Sequence, residues 1–157
     1  MTVREGDLVQ TDAGAILHEV FGYESFRGAQ QEIIERVAAG GDALVLMPTG
    51  GGKSLCYQIP ALLADGLTVV VSPPIALLQD QVEALTQAGV NAVALNSSMD
   101  VSKRREVWDQ LRAGSIKLLY VAPERLLLDG FLDEIDAFSP ALFAIDEAHC
   151  ISQWGHD

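Results

Sequence analysis

Met47-Pro48-Thr49-Gly50-Gly51-Gly52-Lys53-Ser54 is the stretch whose reading decides the fold. Before it, Ala43-Leu44-Val45-Leu46 is an apolar run of the length of one buried strand. After it, Leu55-Cys56-Tyr57-Gln58-Ile59 is apolar and free of turn residues, and reads as the opening of a helix. A strand, three glycines and Lys-Ser at the head of a helix is the arrangement of a phosphate-binding loop. After Thr49, the glycines Gly50, Gly51 and Gly52 let consecutive backbone N–H groups curl around an anion with no Cβ in the way. The helix N-terminus adds unsatisfied N–H groups and a positive dipole end. In such a loop Lys53 reaches the β- and γ-phosphates and the Ser54 hydroxyl ligates Mg²⁺. The general pattern G-x-x-x-x-G-K-[ST] has a glycine where this chain has Met47, so the strict motif fails by one residue. The plain alternative is a glycine-rich turn joining a strand to a helix.

The totals bound what such a loop can belong to. At 157 residues the chain is about one domain, large enough for a substantial core. A net charge of −12 argues against a generic, charge-driven nucleic-acid binder. It leaves room for contacts made by a few placed groups and helix N-termini. Cys56 and Cys150 fit neither a metal site nor a disulfide framework and read as reduced thiols. The N-terminus has Arg4 among Glu5, Asp7 and Asp12 and no apolar core for a signal peptide. No run approaches membrane-spanning length, and the expected location is cytoplasmic.

Along the chain, residues 1–11 are polar and expected to be loose, and residues 12–157 form the folded part. Ala15 to Phe21 suits a short helix ended by Gly22, and a second helix runs from about Gly28 to Gly40-Gly41. The helix from Lys53 carries Pro60 and is expected to kink or restart there. Leu67 to Val71 is a buried parallel strand, followed after Pro73-Pro74 by an amphipathic helix from Ile75 to Ala88 closed by Gly89. Ala92 to Leu95 is a third strand, about Asp100 to Arg112 a helix, and Lys117 to Val121 a fourth strand. Short helical pieces follow Pro123, and Ala141 to Ile145 is a fifth strand. This alternation predicts an α/β fold, a parallel sheet with helices on both faces. Such sheets bind ligands at the carboxyl ends of their strands.

One of those ends carries Asp146-Glu147-Ala148-His149. Two adjacent acids at the end of a buried strand are costly unless something binds them. With a phosphate loop upstream, Asp146 can hold Mg²⁺ through its water shell and Glu147 can orient and deprotonate an attacking water. The competing reading is a solvated acidic turn capping the next helix. Together, phosphate loop and acidic pair point to nucleoside triphosphate binding, with hydrolysis as its natural use.

At this point the chain resembles a known family. Asp146 through Asp157, with its Ser152-Gln153-Trp154-Gly155-His156 string, is similar to motif II and the aromatic-rich loop of RecQ-family DNA helicases. Met47 to Ser54 matches that family's own form of motif I, which accounts for Met47. Phe21-Gly22-Tyr23, Phe26-Arg27 with Gln30, Ser72-Pro73, Asp80-Gln81 and Tyr120 to Leu126 match in order. The resemblance implies a RecA-like P-loop NTPase domain with ATP and Mg²⁺ as cofactors and Lys53, Asp146 and Glu147 as catalytic residues. Ser54 and Asp146 would be the metal ligands. Tyr23, Arg27 and Gln30 would recognise the adenine, while Phe26 suits core packing.

The resemblance also places Ser72, Pro73, Gln81, Pro123, Glu124 and Arg125 along a track for single-stranded or partly duplex DNA. His149, Gln153, Trp154 and His156 would couple DNA to the nucleotide site. His149, Cys150 and His156 match no common zinc spacing. Departures occur at Gly28-Ala29 for the usual Pro-Gly, Pro74 for Leu, Ala76 for Ser and Gln79 for Lys. Gln79 reads equally well as an exposed helix residue, and Lys103-Arg104-Arg105 as a solvated face. Arg125 could pair with a carboxylate or touch DNA.

The family continues beyond this point with a second RecA-like domain that supplies an arginine finger. A chain without it is expected to hydrolyse ATP slowly, and one lacking the last helices and strands that cover its own sheet to leave apolar surface exposed. The implied activity is ATP-dependent 3′–5′ unwinding of DNA in recombination and repair. The rivals are an RNA helicase of the same superfamily, a nucleic-acid-stimulated ATPase, and a nucleotide- or nucleic-acid-binding fragment without turnover.

Overall fold

The computed structural model describes residues 13–43, 52–72, 75–95 and 99–146. The expected first strand, Ala43 to Leu46, falls almost wholly outside them. The chain divides into two compact units, Met1–Asp65 and Gly66–Asp157.

The first unit is helical in its described residues. Helix α1 (13–19) ends where Gly22 takes a left-handed φ of 75° and its N–H bonds the His18 carbonyl at 3.1 Å. Helix α2 (Gln30–Ala38) stops in the same way the sequence predicts, at Gly40-Gly41. Gly40 has φ 91° and donates to Val37, while Gly41 donates to Arg36, the paired bonds of a Schellman turn. Helix α3 (Leu55–Leu63) packs on these two through Ala13, Leu17, Ile34, Leu55 and Ile59. Phe26 joins that cluster from its edge, as expected of a packing residue.

Of the two outcomes expected at Pro60, a kink or a restart, the restart does not occur: α3 runs through it. A proline withholds one N–H, here the one that would have bonded the Cys56 carbonyl. Its own carbonyl still accepts from Ala64 at 2.9 Å, and Ile59 and Ala61 beside it are fully buried. Tertiary packing holds the helix through the defect.

The second unit is a four-stranded parallel sheet in the order β2-β3-β1-β4. Its strands are β1 (Thr68–Val71), β2 (Ala92–Leu95), β3 (Leu118–Val121) and β4 (Leu142–Ile145). Between them run α4 (Ile75–Gln87), α5 (Val101–Arg112), α6 (Pro123–Leu126) and α7 (Phe131–Asp136). The register sets Val69 beside Leu119 and Phe143, and Val71 beside Val121 and Ile145. On that face Val69, Val71, Leu95, Leu119 and Val121 pack against Val107 and Leu111 of α5 and Phe131 and Ile135 of α7. On the opposite face Thr68, Val70, Leu118 and Tyr120 are fully buried, and α4 packs along β2 and β3. Direction and face reverse together: the chain leaves β1 by α4 toward β2, and returns by α5 on the other face. That is what a constant crossover hand requires.

Glycine closes two of these helices, Gly89 ending α4 and Gly114, with φ 72°, ending α5. Gly89, with φ 86°, donates to Thr86 while Val90 donates to Leu85, and Leu85 and Val90 are both buried. At the other end of α5, the Asp100 carboxylate accepts from the Lys103 N–H at 2.8 Å and caps the helix. Among the described residues β4 is an outer strand, where Phe143 and Ile145 alternate with more protected Leu142 and Ala144.

Candidate nucleotide-binding site

In the first unit, the sequence brings Tyr23, Arg27, Gln30 and Gly52 to one pocket, with Leu17, Ser25 and Leu55 completing its walls. Gln30 is its centre. As the first residue of α2 it is 2% exposed, and both ends of its amide are engaged. Its Oε1 accepts from the Arg27 N–H at 2.8 Å, and its Nε2 donates to the Gly52 carbonyl at 3.1 Å. A primary amide offers two N–H bonds and two lone pairs, so one donor and one acceptor remain for a ligand.

Gly52 is fitted to this partner. It has φ 79°, and a Cβ there would stand 2.2 Å from Gln30 Nε2. Lys53 and Ser54 form the turn that enters α3, which begins at Leu55 instead of the expected Lys53. The Lys53 and Ser54 carbonyls accept from Cys56 and Gln58, so the helix ladder starts at once. No side chain caps this N-terminus. Its first amides, with the positive end of the helix dipole, therefore suit an anion. A glycine closed to any Cβ, an uncapped helix start and a Lys-Ser pair together fit a nucleotide phosphate.

The aromatic wall is open. Tyr23 is 49% exposed, where a core residue would be covered. Gly28 takes φ 51°, a conformation forbidden to the proline common at that position in the family resembled. Arg27 and Gln30 are nonetheless bonded to each other, since the Gln30 N–H donates to the Arg27 carbonyl at 3.0 Å. The pocket holds about 70 Å³. A whole small-molecule ligand fills roughly 300 Å³ or more, so this space suits the edge of a flat ring. Sequence reasoning did not name Leu17, Ser25 or Leu55 as lining residues. Ser25, a hydroxyl between Tyr23 and Arg27, was the one signal available. Cys56 is buried on α3, and burial pushes its thiol up from the ordinary value.

In the second unit the parallel strands bring their carboxyl ends together. Ser72, 5% exposed, donates its N–H to the Val121 carbonyl at 3.1 Å, and Asp146 donates its N–H to Val71 at 2.8 Å. The ladder thus continues one residue past β1 and β4, setting Ser72 and Asp146 at one rim with Ala122 and Pro123. Pro123 is buried at the first position of α6, Glu124 is exposed, and Gln81 is half-buried on α4. The Arg125 guanidinium lies 5.7 Å from the centre of the Phe131 ring. Burial and the nearby charge of Arg104 lower its pKa, partly offset by Glu134. Gln79 is exposed, as the bland reading of it expects. Thr49, Gly50, Gly51, Pro73, Glu147, His149, Gln153, Trp154 and His156 lie outside the described residues.

Comparison with known proteins bears on what these parts are for. The DEAD/DEAH box helicase family matches residues 27–157. The chain is 52% identical over 142 residues to "ATP-dependent DNA helicase RecQ" of Pasteurella multocida, covering 90% of this chain and 22% of that protein. It is 52% identical over 143 residues to the protein of the same name from Haemophilus influenzae, covering 91% and 23%. With the Bacillus subtilis protein of that name it shares 49% over 146 residues, 92% of this chain and 25% of the relative. The chain thus spans about a quarter of the length of these relatives. Among the described residues no helix is long and apolar enough to cross a membrane. The match to residues 27–157 covers the Gln30–Gly52 pocket wall and the rim of the sheet alike, and the chain belongs to the DEAD/DEAH box helicase family, with RecQ helicases among its near relatives.

Proposed function

We propose that this chain carries the ATP-binding part of an ATP-dependent DNA helicase of the RecQ type, acting 3′–5′ in recombination and repair. Residues 12–157 belong to its first RecA-like domain. The observation that carries the reading is the Gln30 amide, buried and tied to both Arg27 and Gly52 beside an exposed Tyr23. Its remaining donor and acceptor match the amino group and ring nitrogen on one edge of adenine, and Tyr23 offers a face to the base. Lys53 neutralises phosphate charge, and the uncapped start of α3 orients the phosphates.

By motif, Ser54 and Asp146 are the ligands for Mg²⁺, which when bound supplies charge neutralisation at the phosphates. Glu147 is the proposed base for water, and Thr49 to Gly52 the backbone cradle. Ser72, Pro73, Gln81, Pro123, Glu124 and Arg125 are the proposed contacts to single-stranded or partly duplex DNA, with His149, Gln153, Trp154 and His156 relaying its presence. A second RecA-like domain is the proposed partner for turnover, and the proposed location is the cytoplasm.

Binding of a fluorescent ATP analogue with Mg²⁺ tests the site. Lys53→Ala should weaken it by about tenfold or more, ~1.4 kcal/mol, and Gln30→Ala should remove the preference for adenine over guanine nucleotides. Equal binding by wild type and Lys53→Ala would refute the assignment.

A further inference from the structure

Past Pro123, Glu124 and Arg125, the limb formed by α6 and α7 carries a surface that the proposed nucleotide and DNA contacts do not use. Its sequence is Glu124-Arg125-Leu126-Leu127-Leu128-Asp129-Gly130-Phe131-Leu132-Asp133-Glu134-Ile135-Asp136. The apolar residues divide cleanly. Leu126, Phe131 and Ile135 turn inward to the cluster beneath the sheet, with Phe131 edge-on to Trp108. Leu127, Leu128 and Leu132 turn outward, 68%, 53% and 53% exposed. Among the described residues these are three of seven large apolar side chains left open, and they fall within six positions.

The limb is held firmly. Gly130, with φ 80°, folds the connection so that the Phe131 N–H reaches the Leu128 carbonyl at 3.2 Å and Glu134 reaches Gly130 at 3.0 Å. The three leucines are therefore displayed on an anchored turn, and an open apolar cluster of this kind marks a place of contact.

The exposed charge on the limb itself is acidic. Asp129, Asp133 and Asp136 are exposed and form no ion pair with any described residue. The limb's one basic residue, Arg125, is turned over the Phe131 ring, with its Nε unpartnered and shielded. Phosphate-rich surfaces, whether nucleic acid or membrane, are repelled by such charge, and so is a second copy presenting the same patch. We propose that Leu127, Leu128 and Leu132, interleaved along the limb with Asp129, Asp133 and Asp136, form a docking surface for a basic amphipathic helix of a partner protein. The partner's apolar side chains at helical spacing cover the leucines, and its flanking Lys or Arg residues face the carboxylates.

The probe is a labelled peptide of about fourteen residues with leucines at i, i+3, i+4 and i+7 and lysines elsewhere, titrated with the chain at physiological salt. Replacing Leu127, Leu128 and Leu132 by Ser should weaken binding by about tenfold or more, and a Lys/Ser control peptide of equal charge should bind wild type more weakly by a similar factor. Asp129→Asn with Asp133→Asn and Asp136→Asn should lower affinity roughly threefold to tenfold and flatten its salt dependence. Should the triple leucine variant lose its circular-dichroism signature, Leu127→Ser alone, at the most exposed position, replaces it. Equal binding by the leucine variants and wild type, or equal binding of the control peptide, would reduce the attraction to the chain's net charge and overturn the proposal. So would a concentration-dependent dimer in sedimentation that Leu127→Ser dissolves, since a second copy would then occupy the patch.

Discussion

Gly52 has no room for a side chain, and the partner that fills the space is Gln30. An alanine there would meet the Gln30 amide and also hold a left-handed backbone, costing ~1–2 kcal/mol. Gly52→Ala should lower the melting temperature by about 2–8 °C and weaken the ATP analogue as much as Lys53→Ala does. An unchanged analogue affinity would show that the Gln30–Gly52 bond is incidental to binding. Cys56 yields a pH-dependent outcome. Its folded-state pKa is raised, and the thiolate is the reactive form, so alkylation at neutral pH should be slower than for a free cysteine and should rise only at higher pH. In a Cys150→Ser background, mass spectrometry after a maleimide pulse reads this directly; labelling at the free-thiol rate would contradict the burial. Of these residues, the glycines and Lys53 were legible from the sequence because their chemistry is local. Gln30 was not. On helical periodicity alone it belongs to a polar face, and only resemblance to a family singled it out. Its 2% exposure arises from a bond to a residue far along the chain.

Element boundaries were legible wherever the signal lay in the boundary residue itself. Gly22, Gly40 and Gly89 each end a helix where the sequence places the stop, because a left-handed turn is open to glycine at little cost. Asp100 begins α5 for an equally local reason. Asp100→Ala should cost about 0.5–2 kcal/mol, seen as a shift of the urea midpoint with an unchanged slope, whereas Asp100→Asn should stay near wild type. A midpoint unmoved by the alanine would mean the cap contributes nothing. Pro60 shows the limit of such reading. Its chemistry says kink or restart, and the helix goes on, with Ile59 beside it packed against Ala13 and Leu17 of α1 and Ile34 of α2. The start of α3 at Leu55 is a smaller miss of the same kind. The hydrophobic run shows that a helix exists, while the exact first turn depends on how Lys53 and Ser54 bend.

At the scale of the whole molecule, strand–helix alternation predicts a parallel sheet, and the second unit has one. The order β2-β3-β1-β4 was not legible, because no local pattern says that Val69 sits between Leu119 and Phe143. That order has an observable signature. Amides of β1 and β3, each flanked by strands on both sides, should be the slowest to exchange with deuterium, and those of β4 the fastest of the four. Equal protection in β4 would argue against its outer place among the four described strands. The central position of β1 also has a consequence for the chain as it is made. Thr68-Val69-Val70-Val71 is synthesised before either neighbour, and at ~5–20 residues per second it waits for seconds until Leu118–Val121 and then Leu142–Ile145 emerge. Throughout that interval a short β-branched segment without charge has no native partner, the composition most prone to pair with the wrong one. Slowing translation between β1 and β3 should therefore lengthen this exposure and raise the demand for chaperones, though the finished fold is unaltered.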